Sequence, residues 1–244
     1  AFGLNTAAAN PANWSNPTEQ TPLVQAMNGY MTGYGLYQLM VLVSPEGKLL
    51  AVNTVGPTGK PLDTKKLYGK SFAGEKWLTE SLAGKFLDGD GLTGTNVTDA
   101  HFNGLIDSVY QSKNTYSLIF AAPVKDNQGK TVAVWANYAD FGLVEDIVET
   151  FYKDFKNTGK GRTEITLLDK SGTVIVDFDP AGQNWTKYPR NPEVIGKVNL
   201  VKLKVEAAIN AVAKKSGTVE DVLHARKKIN PAAGYAHTRG GYNY

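Results

Sequence analysis

The residues whose types and spacing could do chemistry are few. Gly89-Asp90-Gly91-Leu92-Thr93-Gly94 matches, letter for letter, the glycine-rich turn that lays a dinucleotide pyrophosphate against a helix N-terminus. That chemistry needs a buried strand leading into the glycines and a helix leaving them. Here a short helix precedes the run and a Thr/Asn/Asp-rich stretch follows it, so the run reads as a loop. Asp88 and Asp90 resemble the start of a calcium loop, but the third ligand is missing and no Glu stands at the twelfth position. His101, His224 and His237 fall in no metal-ligand spacing, and none adjoins a paired acid. No serine sits in a nucleophile elbow, since GKSFAG and DKSGT fail the spacing. Cysteine is absent, which removes thiolate nucleophiles, disulfides and sulfur-ligated metals. The chain therefore reads as a binder, with no cofactor, no metal and no catalytic residue.

Aromatic and amide side chains are the better lead. Trp77, Tyr116, Phe120, Trp135 and Tyr138, with Asn137 and Asn103, fall on strands or beside the first short helix of one module, and His101 lies close to them in sequence. A sheet covered on one face by loops and short helices makes a hollow. Aromatic walls and a few amides are what a small polar ligand needs there. The competing reading takes each ring as core filling. Strand alternation constrains the choice: Val134, Ala136 and Tyr138 face one side, Trp135 and Asn137 the other, so Trp135 and Tyr138 share a pocket only across a bulge.

The elements that must position these residues are set by a cassette that occurs three times: an apolar strand, a Gly-containing tight turn and a second apolar strand. The copies are YQLMVLV-SPEG-KLLAVN from Tyr37, YSLIFAAPV-KDNQG-KTVAVWANY from Tyr116 and EITLLD-KSG-TVIVDF from Glu164. The first and third stand about 125 residues apart, and helical periodicity follows each, so two related α+β units in tandem are expected. Apolar spacing predicts helices over Pro17–Tyr34, around Trp77–Leu82, over Gly104–Gln111, from Asp140 to Asn157 and from Leu203 to Lys215. Residues 1 to about 16 are expected to be irregular, pinned by Trp14, and FLDGDGLTGTNVTD to be loop. With 244 residues and 42% hydrophobic content, the chain can bury two ordinary cores. Twenty-six basic against 23 acidic residues give +3 with no run of one sign, and without a basic stripe no nucleic-acid partner is expected. No apolar run approaches the roughly 20 residues that span a bilayer.

In this order and spacing, YGLYQLMVLVSPEGKLLAVN, LYGKSFAGEKWLTESLAGKF, YSLIFAAPVKDNQGKTVAVWANYADFGLVEDIV and TEITLLDKSGTVIVDFDP resemble the double Cache extracellular sensor domain of bacterial methyl-accepting chemotaxis receptors, over roughly residues 13 to 240. The resemblance implies an α+β fold of two tandem PAS-like modules, each an antiparallel sheet with flanking helices, joined by a helix. It divides the chain into an N-terminal segment and helix (1–36), a membrane-distal module (37–140), a connecting helix (141–160) and a membrane-proximal module (161–244) lacking its last strand. It implies a periplasmic or extracellular location, a small-molecule ligand in the distal module and a homodimer in the full-length receptor. Membrane contact would come only through segments outside this chain.

In amino-acid-binding members of that family, an Arg stands two residues before the pocket Trp and a Tyr directly after it, and an Asp near the end of the last strand holds the ligand's amino group. Here Glu75 takes the Arg position, Leu78 the Tyr position, and Tyr138, or by a one-residue shift Asn137, the Asp position. Each lost charge-assisted contact is worth about 1.5–3 kcal/mol. An ordinary amino acid is therefore not the expected ligand. A neutral or weakly charged small organic molecule fits better, with a small carboxylate as the alternative if Lys70, Lys76 or His101 turns inward. The same module on a histidine kinase or a cyclic-nucleotide enzyme, a free periplasmic binding protein and a hydrolase are the competing readings.

Overall fold

The computed structural model describes residues 2–16, 20–87, 93–161, 163–178, 188, 190–214, 216–220 and 233–236. The chain divides into two compact units, Ala1–Phe141 and Gly142–Tyr244.

The first unit runs α1 (Phe2–Ala9), α2 (Pro22–Tyr34), β1 (Tyr37–Val43), β2 (Leu49–Val52), α3 (Lys76–Leu82), β3 (Asn96–Phe102), α4 (Gly104–Tyr110), β4 (Tyr116–Lys125) and β5 (Thr131–Asp140). The strands form one antiparallel sheet in the order β2-β1-β5-β4-β3, so the hairpins β1–β2 and β4–β5 are zipped together along β1 and β5. The turns behave as their residues dictate. At the β4–β5 turn, Asp126 Oδ1 accepts from the Gln128 and Lys130 amides at 2.9 Å each. At the β1–β2 turn, Gly47 has φ 88°, and a Cβ there would collide with the Ala73 backbone.

Each face of the sheet carries its own core. Leu39, Val41, Val43, Ile119, Val134 and Tyr138 project to one side, under Phe72, Trp77 and Leu78 and the α4 residues Leu105, Ile106 and Val109. Met40, Leu42, Leu50 and Ala133 project to the other, under Leu23, Val24, Met27 and Met31 of α2 and Ala8 of α1. The helices are capped by the expected chemistry: Thr21 accepts from the Val24 amide, Gly35 closes α2 at φ 68°, and Asn103 Oδ1 accepts from the Leu105 and Ile106 amides.

Two elements differ from the sequence expectation. The N-terminal segment contains α1, about two turns of helix ending in three alanines, of which Ala8 is buried; the Trp14 indole N–H donates to the Ala8 carbonyl at 2.9 Å, which is the expected pinning. The stretch expected as loop ends in the first half of β3. Its inward positions are Asn96, Thr98 and Ala100, so the usual apolar alternation is missing although the strand is half buried.

The second unit opens with α5 (Gly142–Asn157), whose Val148 and Glu145 are buried. It continues with the hairpin β6 (Ile165–Leu168) and β7 (Val174–Phe178), then α6 (Glu206–Ala213) and the antiparallel pair β8 (Ser216–Val219) and β9 (Ala233–Ala236). The Glu145 carboxylate is gripped by Arg190 through Nε at 2.7 Å and Nη2 at 2.8 Å. Tyr188 stacks on Phe178 at 5.4 Å between ring centroids, and its hydroxyl, pushed up to a pKa of about 12 chiefly by burial, accepts from the Asp177 amide.

Candidate functional site

The site is built where α3 crosses the β3–β4–β5 side of the first sheet. Thr98, Ile119, Tyr138 and Leu39 form one cross-strand row; Asn96, Ala121, Ala136 and Val41 form the next. Because residues two apart on a strand share a face, both rows look toward α3. On α3, Trp77 and Ser81 are one turn apart and both are buried. The Trp77 ring meets Tyr138 edge-on, 6.5 Å between centroids and 81° between planes, and Phe72 at 6.3 Å.

The apolar parts of these side chains are close-packed, and their polar ends are not matched. Trp77 Nε1, Ser81 Oγ, Asn96 Oδ1, Thr98 Oγ1 and Tyr138 Oη are all buried with no hydrogen-bond partner among the described residues. A buried polar atom left unmatched costs about 1–3 kcal/mol. Five of them gathered between one helix and one side of one sheet are a large burden for a fold stabilised by only about 5–15 kcal/mol. Groups of this kind are completed in folded proteins by buried water or by a bound molecule.

Two carboxylates stand beside these residues. Glu75 precedes α3 and lies close enough to Tyr138 to act on it electrostatically; Glu80 accepts a hydrogen bond from Asn96 Nδ2 at 3.1 Å. Burial, reinforced by Glu75, holds the Tyr138 hydroxyl far above the ordinary tyrosine range, and the nearby Trp77 N–H offsets only part of this. Tyr138 is thus a neutral hydroxyl at every physiological pH. The orientation of the Asn96 amide follows from its partners: Nδ2 donates to Glu80 and to the Lys85 carbonyl at 2.9 Å, leaving Oδ1 to face inward as an acceptor.

Of the residues singled out in the sequence, Trp77 and Tyr138 come together here. Phe120, Trp135 and Asn137 share rows with Met40 and Leu42 and lie on the opposite face, where Trp135 Nε1 donates to Asn137 Oδ1 at 2.7 Å. Tyr116 alternates in phase with Phe120 and packs with Phe102 and Phe141 at 5.0 and 5.2 Å between centroids. His101 is exposed on the edge strand, its Nδ1 at 2.9 Å from the Asp99 carbonyl. Asn103 is engaged in capping α4. Asp88, Asp90, most of the Gly89–Gly94 run, His224 and His237 lie outside the described residues. The members that sequence reasoning did not pick are Ser81, Asn96 and Thr98; for the last two, polar residues at alternate positions before Ala100 were the available signal. A separate open cleft of about 530 Å³ lies beside β2, lined by Ser15, Lys48, Leu49, Lys65, Lys66 and Tyr68.

Among the described residues no group of three or more His, Asp or Glu gathers to hold a metal ion, and no helix is long and apolar enough to cross a membrane. No protein-family model and no curated protein matches the chain. Solved structures do. The periplasmic sensory domain of the Campylobacter jejuni chemoreceptor Tlp1 matches at TM-score 0.53 and 13% identity, over 98% of this chain and 84% of that one. The extracellular domain of mmHK1S-Z2, a candidate histidine kinase, matches at TM-score 0.54 and 13% identity, over 97% and 82%. An extracellular ligand-binding receptor from Desulfohalobium retbaense matches at TM-score 0.52 and 15% identity, over 89% of this chain but 32% of that one. The likeness is one of fold: an α+β chain with the architecture of Cache-type extracellular sensor domains.

Proposed function

We propose, from the sensor-domain fold that this chain carries, that it is the extracytoplasmic ligand-binding module of a bacterial chemoreceptor, and that it holds a small organic molecule other than a standard amino acid between α3 and the first sheet. The observation that carries this reading is the cluster of five buried, unmatched polar atoms on Trp77, Ser81, Asn96, Thr98 and Tyr138. Glu75 and Leu78 supply no cation or hydroxyl for an α-carboxylate, and Tyr138 supplies no counter-ion for an α-ammonium. In the full receptor the module works as a homodimer without chemical turnover. Ligand biases one of two pre-existing arrangements, and α5, separated from β5 by Phe141 alone, receives the displacement. The same module on a histidine kinase is the second reading, favoured by the likeness to mmHK1S-Z2.

The test is a thermal-shift screen of small organic molecules, including the 20 standard amino acids, followed by calorimetry on Trp77→Phe and Thr98→Val proteins. A non-amino-acid hit that both substitutions weaken supports the reading. An amino acid as the sole hit, or turnover of a screened ester or glycoside, overturns it.

A further inference from the structure

The open cleft of about 530 Å³ beside β2 shares no residue with the cluster under α3, and the charges that line it are all of one sign. Lys48 stands directly before β2; Lys65 and Lys66 come from a short 3₁₀ turn, Lys65–Gly69; no acidic residue is among the lining. We infer that this cleft binds a small organic anion carrying more than one negative charge, at a site separate from the one proposed above. Among the described residues Lys48 and Lys65 enter no ion pair. Lys66 reaches the exposed Asp63 at 3.9 Å, and its ammonium donates to the Ser108 carbonyl at 2.6 Å. A single solvated lysine asks for no partner. Three around one hollow repel one another, and an anion seated between them removes that repulsion.

The backbone that carries the lysines is fixed by the fold. The Lys48 amide donates to Ser44 Oγ at 3.2 Å, and its carbonyl accepts from the Ser44 amide at 2.8 Å. The Lys65–Gly69 turn is anchored by the buried Leu67 and Thr64, and the Thr64 hydroxyl donates to the Asn53 carbonyl at 2.9 Å. Ser15 closes a third side: its amide donates to the Leu50 carbonyl at 2.8 Å and its hydroxyl is hydrogen-bonded to that of Tyr68. The volume falls in the range of about 300–1,000 Å³ that holds small organic ligands, so a bare inorganic ion leaves most of it unfilled. Leu49, the Tyr68 ring and the lysine stems supply apolar surface for an organic body. Ammonium groups act as separate point charges with rotatable donors, where a guanidinium fork selects a single planar carboxylate. They suit charge spread over several groups, as in a polycarboxylate, or concentrated on a phosphate ester.

The experiment uses the chain as it stands, with tricarballylate, glutarate and butyrate as a series of falling charge, and phenyl phosphate against inorganic phosphate. Calorimetry is run on the unaltered protein and on Lys48→Gln, Lys65→Gln, Trp77→Phe and Lys170→Gln; the last removes the same charge from an exposed turn of the second unit. Lys48 and Lys65 are exposed, so their glutamine variants keep the apo melting temperature. The expected result is binding of tricarballylate or phenyl phosphate, weakened about tenfold by each cleft substitution and less than about threefold by Lys170→Gln or Trp77→Phe. Butyrate and inorganic phosphate should bind at least about tenfold more weakly than their partners in the series. Whichever of tricarballylate and phenyl phosphate binds more tightly tells a carboxylate source from a phosphate one. An equal loss in Lys170→Gln, inorganic phosphate binding as tightly as phenyl phosphate, or no binding by any probe overturns the inference. Binding that Trp77→Phe weakens and the cleft substitutions do not also overturns it, by placing the anion under α3.

Discussion

Thr98 and Tyr138 stand in one cross-strand row on either side of Ile119, two strands apart, and neither hydroxyl finds a partner among the described residues. Most buried hydroxyls in folded proteins are hydrogen-bonded, so two unmatched in one row set this part of the sheet apart from the rest of its core.

Trp77 has two roles that substitution separates. The sequence alone suggests that Trp77→Ala and Tyr138→Ala leave the apo melting temperature nearly unchanged. Burial to 1% exposure for both side chains changes that expectation. Trp77→Ala should cost about 3–5 kcal/mol in urea denaturation, as removal of a large core aromatic does. Trp77→Phe keeps most of the packing and removes the N–H, so it should cost far less stability while weakening ligand. Equal loss of stability in both variants would mean that the indole N–H is itself bonded within the fold, against its reading as an unmatched donor.

In the second unit, Arg190 compensates a carboxylate that is 8% exposed at its side chain. Removing the cation leaves Glu145 charged, buried and short of its bidentate partner, so Arg190→Ala should destabilise this unit by about 3 kcal/mol. Adding Glu145→Gln to Arg190→Ala should restore part of the loss. A double mutant no more stable than the single would mean that the guanidinium acts through packing instead.

Asp169 makes the β6–β7 turn pH-sensitive. Burial pushes its carboxyl upward, but hydrogen bonds from Thr173 and Ser171 outweigh this and hold it below its usual 3.8. A depressed folded pKa means that the stabilisation is complete above the unfolded value and is lost as pH falls through the folded one. Asp169→Asn should therefore lower the urea midpoint at pH 7 and have little effect at pH 2. An equal drop at both pH values would remove the charge from the explanation.

The legible parts of the fold were those in which apolar side chains set the period. All three hairpins and helices α2 to α6 follow apolar spacing and turn residues that the chain displays openly. The illegible parts were those in which something else fills the inward positions. In α1 three consecutive alanines carry little hydrophobic contrast, and only Ala8 is placed against the core. In β3 the inward residues are Asn96, Thr98 and Ala100, which resemble the outward face of an ordinary strand. The candidate site was half legible for the same reason. Trp77 and Tyr138 could be chosen by type, and the parity of β5 already separated Tyr138 from Trp135 and Asn137. Asn96 and Thr98 could not be chosen, because a strand that turns polar groups inward looks from its sequence like no strand at all.

The position of β3 at the margin of the sheet has an evolutionary consequence. A marginal strand has one neighbour, so exchanging Asn96 or Thr98 for other residues disturbs a single ladder and leaves the β1–β5–β4 centre as it is. Descendants of such a chain could thus revise this seven-residue border without having to rediscover how to fold.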